Sequence, residues 1–167
     1  MKYKPFRIEG DIAYIPLTRG YEAIIDAADV ELVGMKNWYA LPAPGTVYAR
    51  REVRRDGKKI RIPMHRVITQ PPTGMEVDHI DGNGLNNRRS NLRVVTHAQN
   101  LSNRGAPKNN TSGKKGVVWM KDEKRWRAQI GVNGKNMHIG CYPTIDLAHA
   151  AYVVVCRELH GEFGRPE

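Results

Sequence analysis

Several things are scarce in this chain of 167 residues. It holds two cysteines, Cys141 and Cys156, in no C-x-x-C pair, which excludes a zinc knuckle and a disulfide scaffold. Aromatic residues make up 7%, so any hydrophobic core is small. The longest nearly apolar run, Leu147 to Cys156, is ten residues interrupted by His149. A membrane span needs roughly 20. The opening Met1-Lys2-Tyr3-Lys4-Pro5 is not followed by an apolar stretch, so no signal peptide is expected. These absences lead to the expectation of a soluble, cytoplasmic protein. At about 150 residues per domain, the length suits one domain or two small modules.

What is abundant is positive charge. Lysine and arginine total 27 against 17 acidic residues, for a net charge of +10. The excess is concentrated. Residues 50–66 carry +6 and residues 104–138 carry +7, while 67–103 balance to zero and the two ends are slightly acidic. Neutralising phosphates with Lys and Arg releases counterions, so two basic blocks point to a polyanionic partner.

The pattern of elements is α+β. Residues 11–17 alternate as a strand, 21–25 follow, and 27–36 read as a short helix. Pro42, Pro44 and Gly45 read as a loop. Strands over 47–53 and 59–62 flank Asp56-Gly57, a strong hairpin signal. Residues 77–80 and 92–95 read as two short strands, with a helix from Ala98 to Asn103 after Thr96. Residues 106–115, with no bulky apolar side chain, read as a linker. Beyond it, strands over 116–120, 125–132 and 136–142 form a meander that turns at Asn133-Gly134. A helix follows, capped by Thr144 and stopped near Gly161. In the middle strand Trp126, Ala128, Ile130 and Val132 share one face, and Arg125, Arg127 and Gln129 the other.

The neutral centre carries the chemistry. It contains Asp78-His79-Ile80-Asp81-Gly82-Asn83, then Asn86-Asn87-Arg88-Arg89-Ser90-Asn91-Leu92-Arg93-Val94-Val95-Thr96, then Asn100. Six asparagines between 81 and 103 exceed what one turn requires. Residues 64–103 resemble the HNH nucleases, specifically the phage and intron-encoded homing branch. The resemblance implies a ββα-metal unit that hydrolyses a phosphodiester. It assigns His79 as general base, with Asn91 accepting from its other ring nitrogen, and Asp78 and Asn100 as ligands of one divalent cation, Mg²⁺ or Mn²⁺. Many HNH enzymes end the unit with a histidine ligand, and Asn100 in that place selects the homing branch. Arg66, Arg88, Arg89 and Arg93 are read as phosphate contacts, and His65 as a packing residue.

Residues 111–163 resemble a second family, the APETALA-type (ethylene-response-factor-like) DNA-binding domain. Ser112-Gly113, Gly116-Val117, the run from Arg125 to Ile130, Gly134-Lys135 and His138-Ile139-Gly140 carry it. The resemblance implies a three-stranded sheet, packed on one helix, that reads duplex DNA through Lys114, Lys115, Trp119, Arg125, Arg127 and Gln129. The expected layout is a β-rich segment at 1–63, a nuclease unit at 64–105, the linker, and a DNA-binding domain at 116–167. The expected activity is a phage- or mobile-element-encoded DNA endonuclease, monomeric or weakly dimeric, that cleaves double-stranded DNA at a preferred site. The alternative is a non-catalytic, sequence-preferring DNA-binding regulator with a degenerate HNH unit.

Overall fold

The computed structural model describes residues 5–107, 109–132 and 134–166. The backbone divides into two compact units, 1–96 and 97–167. No helix among the described residues is long and apolar enough to cross a membrane. The opening residues 1–4 and Asn133 of the expected turn lie outside the described residues.

The first unit contains three small antiparallel sheets. In the first, β1 (Arg7–Glu9), β2 (Ile12–Pro16) and β3 (Glu22–Asp26) pair in sequence order. Ala13 and Ile15 of β2 and Ala23 and Ile25 of β3 alternate into the core, as period-two side chains do. The expected helix over 27–36 is a 3₁₀ turn at Ala27–Asp29 followed by α1 (Val30–Val33). The second sheet orders β4 (Tyr39–Ala43), β5 (Thr46–Arg55) and β6 (Lys58–Pro63). Its β5–β6 turn places Asp56 at φ 50° and Gly57 at φ 71°, the left-handed pair that a tight hairpin requires.

Two expectations need correction here. Pro42 is not in a loop but inside β4, opposite Val47. It is tolerated because β4 is an edge strand, where the ladder does not need every N–H. Residues 64–69, to which no element is assigned from pattern, form α2 (Met64–Thr69), which buries Met64, His65 and Ile68. Six residues are too few to establish a helical period. The third sheet pairs β7 (Glu76–His79) with β8 (Leu92–Val95), close to the expected spans. The core of this unit gathers Ala13, Ile15, Ile25, Trp38, Met64 and Ile68, with Val77 and Leu92 joining from β7 and β8.

The second unit begins with α3 (His97–Ser102), expected instead to close the nuclease unit. Contacts at Ser102 explain the difference. Its carbonyl accepts from the Lys115 ammonium at 3.1 Å and from the Arg165 N–H at 3.4 Å, and its hydroxyl lies 3.3 Å from His160 Nδ1. The stretch read as a linker is ordered at its C-terminal end, where Asn110 Oδ1 accepts from the N–H groups of Ser112 and Gly113. The meander follows as β9 (Val117–Met120), β10 (Arg125–Val132) and β11 (Lys135–Tyr142). Helix α4 (Ile145–His160) covers one face, with Thr144 accepting from the Leu147 N–H as its cap. Gly116 sits at φ 74°, and a Cβ there would lie 2.1 Å from the Tyr152 ring, so only glycine fits. The overall class is thus α+β with small antiparallel sheets and few helices, as expected.

Candidate active site

The β7–loop–β8 hairpin holds the residues that the sequence singles out. Cross-strand register sets Asp78 opposite Arg93 and His79 opposite Leu92. Asp78 and His79 are both buried. Asp78 Oδ2 accepts from Arg93 Nε at 2.9 Å and pairs with Nη2 at 2.7 Å. A buried carboxylate requires such a counter-charge.

The connecting loop is locked by Asp81. Its Oδ1 accepts from the Asn83 N–H at 2.7 Å and from Asn91 Nδ2 at 2.9 Å, and its Oδ2 accepts from Asn86 Nδ2 at 2.8 Å. Burial pushes the Asp81 carboxyl up, but these donors, led by Asn86 and Asn83, outweigh it and leave it below its ordinary value. Asn91 completes the lock. Its Nδ2 also donates to the Asn86 carbonyl at 2.8 Å, and its Oδ1 accepts from the Asp81 N–H at 3.1 Å.

These bonds redistribute two asparagine roles. The resemblance sets Asn91 against the second nitrogen of His79, but its amide is committed to the loop. Asn87 faces His79 instead, with its Oδ1 3.3 Å from Nε2. The sequence contains the adjacent pair Asn86-Asn87, but nothing in it indicates which of three asparagines reaches the ring. The His79 ring packs against His65 (centroids 5.1 Å apart) and Tyr48 (5.7 Å). Burial lowers the His79 pKa, partly offset by the Asn87 hydrogen bond and by Asp81 and Asp78, so the ring is neutral near pH 7. His65 is a packing residue, as expected. Its pKa is depressed to about 3 by burial, then by His79, Arg50 and Arg66.

The arginines expected on phosphates are engaged within the protein. Arg88 Nε donates to Asp26 Oδ1 at 2.8 Å and Nη2 to Asp11 Oδ2 at 2.7 Å. Arg89 Nη2 donates to Asp29 Oδ1 at 2.7 Å and Nε to Oδ2 at 2.9 Å, a bidentate pair. Its backbone N–H also donates to Asp26. Arg93 is held by Asp78, and Arg66 Nη1 donates to the Met75 carbonyl at 3.1 Å. Acidic side chains some sixty residues away in the sequence hold Arg88 and Arg89.

In the second unit, Asn100 lies on α3. Lys114 sits half-buried in the turn before β9. Lys115 points inward, donating to the carbonyls of Ser102 and Arg165 (3.1 and 2.6 Å), and burial lowers its pKa. Trp119 stands opposite Trp126, rings 5.0 Å apart, on the face that α4 covers rather than with the arginines. Arg125, Arg127 and Gln129 share the other face, as expected. No cluster of three His, Cys, Asp or Glu suited to a metal occurs among the described residues.

A family model described as HNH endonuclease matches residues 64–102, the span from α2 through the locked hairpin to α3. Protein 3.8 of Escherichia phage T7 is 39% identical over 94 residues, covering 56% of this chain and 77% of that protein. Residues 64–102 are thus an HNH endonuclease domain. The uncharacterized HNH endonuclease L560 of Acanthamoeba polyphaga mimivirus is 41% identical over 95 residues, 57% of this chain. The match spans about half of that relative, 48% of its length. The solved HNH homing endonuclease I-HmuI, described in terms of DNA binding and cleavage, aligns with 95% of this chain and 83% of its own at 21% identity and a TM-score of 0.34. None of these comparisons extends to an APETALA-type assignment of the C-terminal sheet.

Proposed function

We propose that the chain is a metal-dependent DNA endonuclease of the homing type that hydrolyses a phosphodiester at a preferred duplex site. The observation that carries this reading is the locked hairpin, which sets the buried His79 imidazole beside the Asp78 carboxylate within the span matched by the HNH model. A neutral imidazole takes a proton from water near pH 7, and its burial removes competing solvent. Asn91 serves the reaction by fixing the loop rather than by touching the base.

The Asp78 carboxylate suits one hard cation, Mg²⁺ or Mn²⁺, because both prefer oxygen ligands. Asp78 is the carboxylate proposed to hold it, and Asn100 is the amide that the motif assigns. Such a cation supplies charge stabilisation at the scissile phosphate and its leaving oxygen. Attack by water with loss of the 3′ oxygen leaves a 5′ phosphate. One site per chain nicks as a monomer and makes a double-strand break when two chains or two events combine.

Two surfaces are proposed to hold the duplex. The first is the β5–β6 ribbon, where Arg54 faces Lys59 and Arg55 faces Lys58 across the strands. Like charges placed opposite one another cost stability, and a polyanion relieves that cost. The second is the outer face of β10, with Arg125, Arg127 and Gln129, read as an APETALA-type sheet in the major groove. The Asp78–Arg93 ion pair favours a second reading, a DNA-binding regulator whose acidic ligand is already neutralised. Incubating supercoiled plasmid with the purified protein and Mg²⁺, Mn²⁺ or EDTA separates the two. The nuclease reading expects open-circular product with metal and none with EDTA. Duplex binding with no nicking under either metal leaves the regulator.

A further inference from the structure

Asn87 is among the best-anchored polar side chains of the molecule. It is 0% exposed, and its Nδ2 donates to the carbonyls of Leu85 at 3.1 Å and Gly84 at 3.4 Å. With both amide hydrogens directed at carbonyls, the remaining atom, Oδ1, is the one turned to His79 Nε2. The backbone around it is held equally firmly. The Asn87 N–H donates to the Ile24 carbonyl at 2.7 Å, and the Ile24 N–H donates to the Leu85 carbonyl at 2.8 Å, so residues 85–87 run along the edge of β3. Thr46 Oγ1 accepts from the Gly84 N–H at 2.8 Å. A Cβ at Gly84 would lie 2.6 Å from Tyr48, so the loop is pressed against the strand that also carries the ring beside His79. Arg88 and Arg89 then fasten the next two positions to Asp26, Asp11 and Asp29.

We infer that Asn87 is a positioning residue that fixes His79 in the tautomer protonated on Nε2 and so makes Nδ1 its basic nitrogen. A carbonyl-type oxygen accepts but cannot donate, so the ring nitrogen facing it carries the hydrogen. The amide cannot flip to offer its NH₂ without turning Oδ1 onto two carbonyl oxygens. The loop backbone, through this asparagine, therefore biases the tautomer before any substrate arrives. Histidine ligands and bases owe their ring orientation to such partners. Only the consequence for cleavage rests on the nuclease reading; the choice of tautomer does not.

The test compares two variants, Asn87→Asp and Asn87→Leu, that both lose the donations to Gly84 and Leu85. Aspartate keeps an acceptor at His79 while adding a charge and setting its second oxygen against the two carbonyls, and leucine keeps neither acceptor nor charge. Full-length protein labelled with ¹⁵N-histidine, without metal at about pH 7.5, reports the tautomer through the ring nitrogen shifts. The wild type and Asn87→Asp are expected to show the Nε2–H form, and Asn87→Leu a mixture. In plasmid nicking, Asn87→Leu is expected to lose about 10- to 100-fold in kcat with KM nearly unchanged, and Asn87→Asp to recover much of it. An Nδ1–H ring in the wild type overturns the inference, and this reading stands even if Asn87→Leu fails to fold. An Nε2–H ring retained in folded Asn87→Leu also overturns it. A wild type with the expected tautomer that never nicks DNA leaves the inference intact and removes the nuclease reading instead.

Discussion

The β7–β8 loop and the β5–β6 ribbon are neighbours in sequence and both rich in polar side chains, yet they are opposites physically. In the loop, Asp81, Asn91 and Asn87 together accept or donate eight hydrogen bonds, to one another, to the Asn86 side chain, to nearby backbone and to His79. In the ribbon, Arg54, Arg55, Lys58 and Lys59 are exposed, and two cationic pairs face each other directly. The Lys59–Glu52 ion pair is a surface contact of the kind worth little. A polar region bonded largely within itself, with Asn86 Oδ1 the buried exception, builds geometry, whereas one whose charges oppose each other calls for a partner from outside. The same distinction separates Arg88 and Arg89, which Asp11, Asp26 and Asp29 hold, from Arg125 on the outer sheet face, while Arg127 beside it pairs with Glu123 at 3.5 Å.

Removing His79 should break the comparison most severely. His79→Ala is expected to lower plasmid cleavage about 10²- to 10⁴-fold, the range for general acid–base groups, while duplex affinity in fluorescence anisotropy stays within about twofold. A large loss of affinity would place DNA binding in the loop and erase the division of labour. The ribbon gives the converse. Replacing Arg54, Arg55, Lys58 and Lys59 with glutamine is expected to leave stability unchanged or raise it by a few tenths of a kcal/mol. The dependence of log K on log salt should become shallower by up to about 3.6, at roughly 0.9 for each phosphate no longer neutralised. An unchanged slope would remove the ribbon from the interface.

Asn91 sharpens the contrast within the hairpin. Asn91→Ala leaves the Asn86 carbonyl and the Asp81 N–H without their side-chain partner and Asp81 Oδ1 with the Asn83 N–H alone, and is expected to cost about 2 kcal/mol in urea unfolding. A tautomer change at His79 with no stability loss would return Asn91 to the role that the motif gives it. Why the motif misplaces that role shows where sequence reading stops. Period, turn chemistry and spacing locate β2, β3, β5 to β11, α4 and the Asp78-His79 pair, since each leaves a local signature such as Asp56-Gly57 or Thr144. Strand β4 is hidden by Pro42, because edge position is a property of the sheet and not of the peptide. Helix α2 is hidden by its six residues. The arginine partners Asp11, Asp26 and Asp29 are hidden because pairing across sixty residues leaves no local trace. Likewise Asn87 and Asn91 are chemically identical, and only the path of the loop along β3 decides which one meets the ring.

The two regions should also respond differently to acid. His65 and His79 are buried with lowered pKa values, His65 at about 3. An unfolded histidine takes up a proton near pH 6.5, whereas the folded His65 resists until about pH 3. The unfolded state therefore binds more protons throughout that window, and stability falls as pH drops through it. Above about pH 6.5 the full stability is present. Below it, His65 contributes a slope approaching 1.4 kcal/mol per pH unit, and His79 adds to it in the same direction. Asp26 and Asp81, with pKa values below the ordinary 3.8, add their own loss only at lower pH. Urea unfolding of the full chain, followed through the amide NMR signals of residues 5–96 at about pH 7, 6 and 5, measures this slope. His65→Phe is expected to remove one proton from it and leave the His79 share. The ribbon's arginines and lysines keep their charge across the whole window, so its quadruple glutamine variant should show the wild-type slope. A ribbon variant with a flattened slope would mean that its charge sets the histidine pKa values, and the two regions would then be coupled rather than divided.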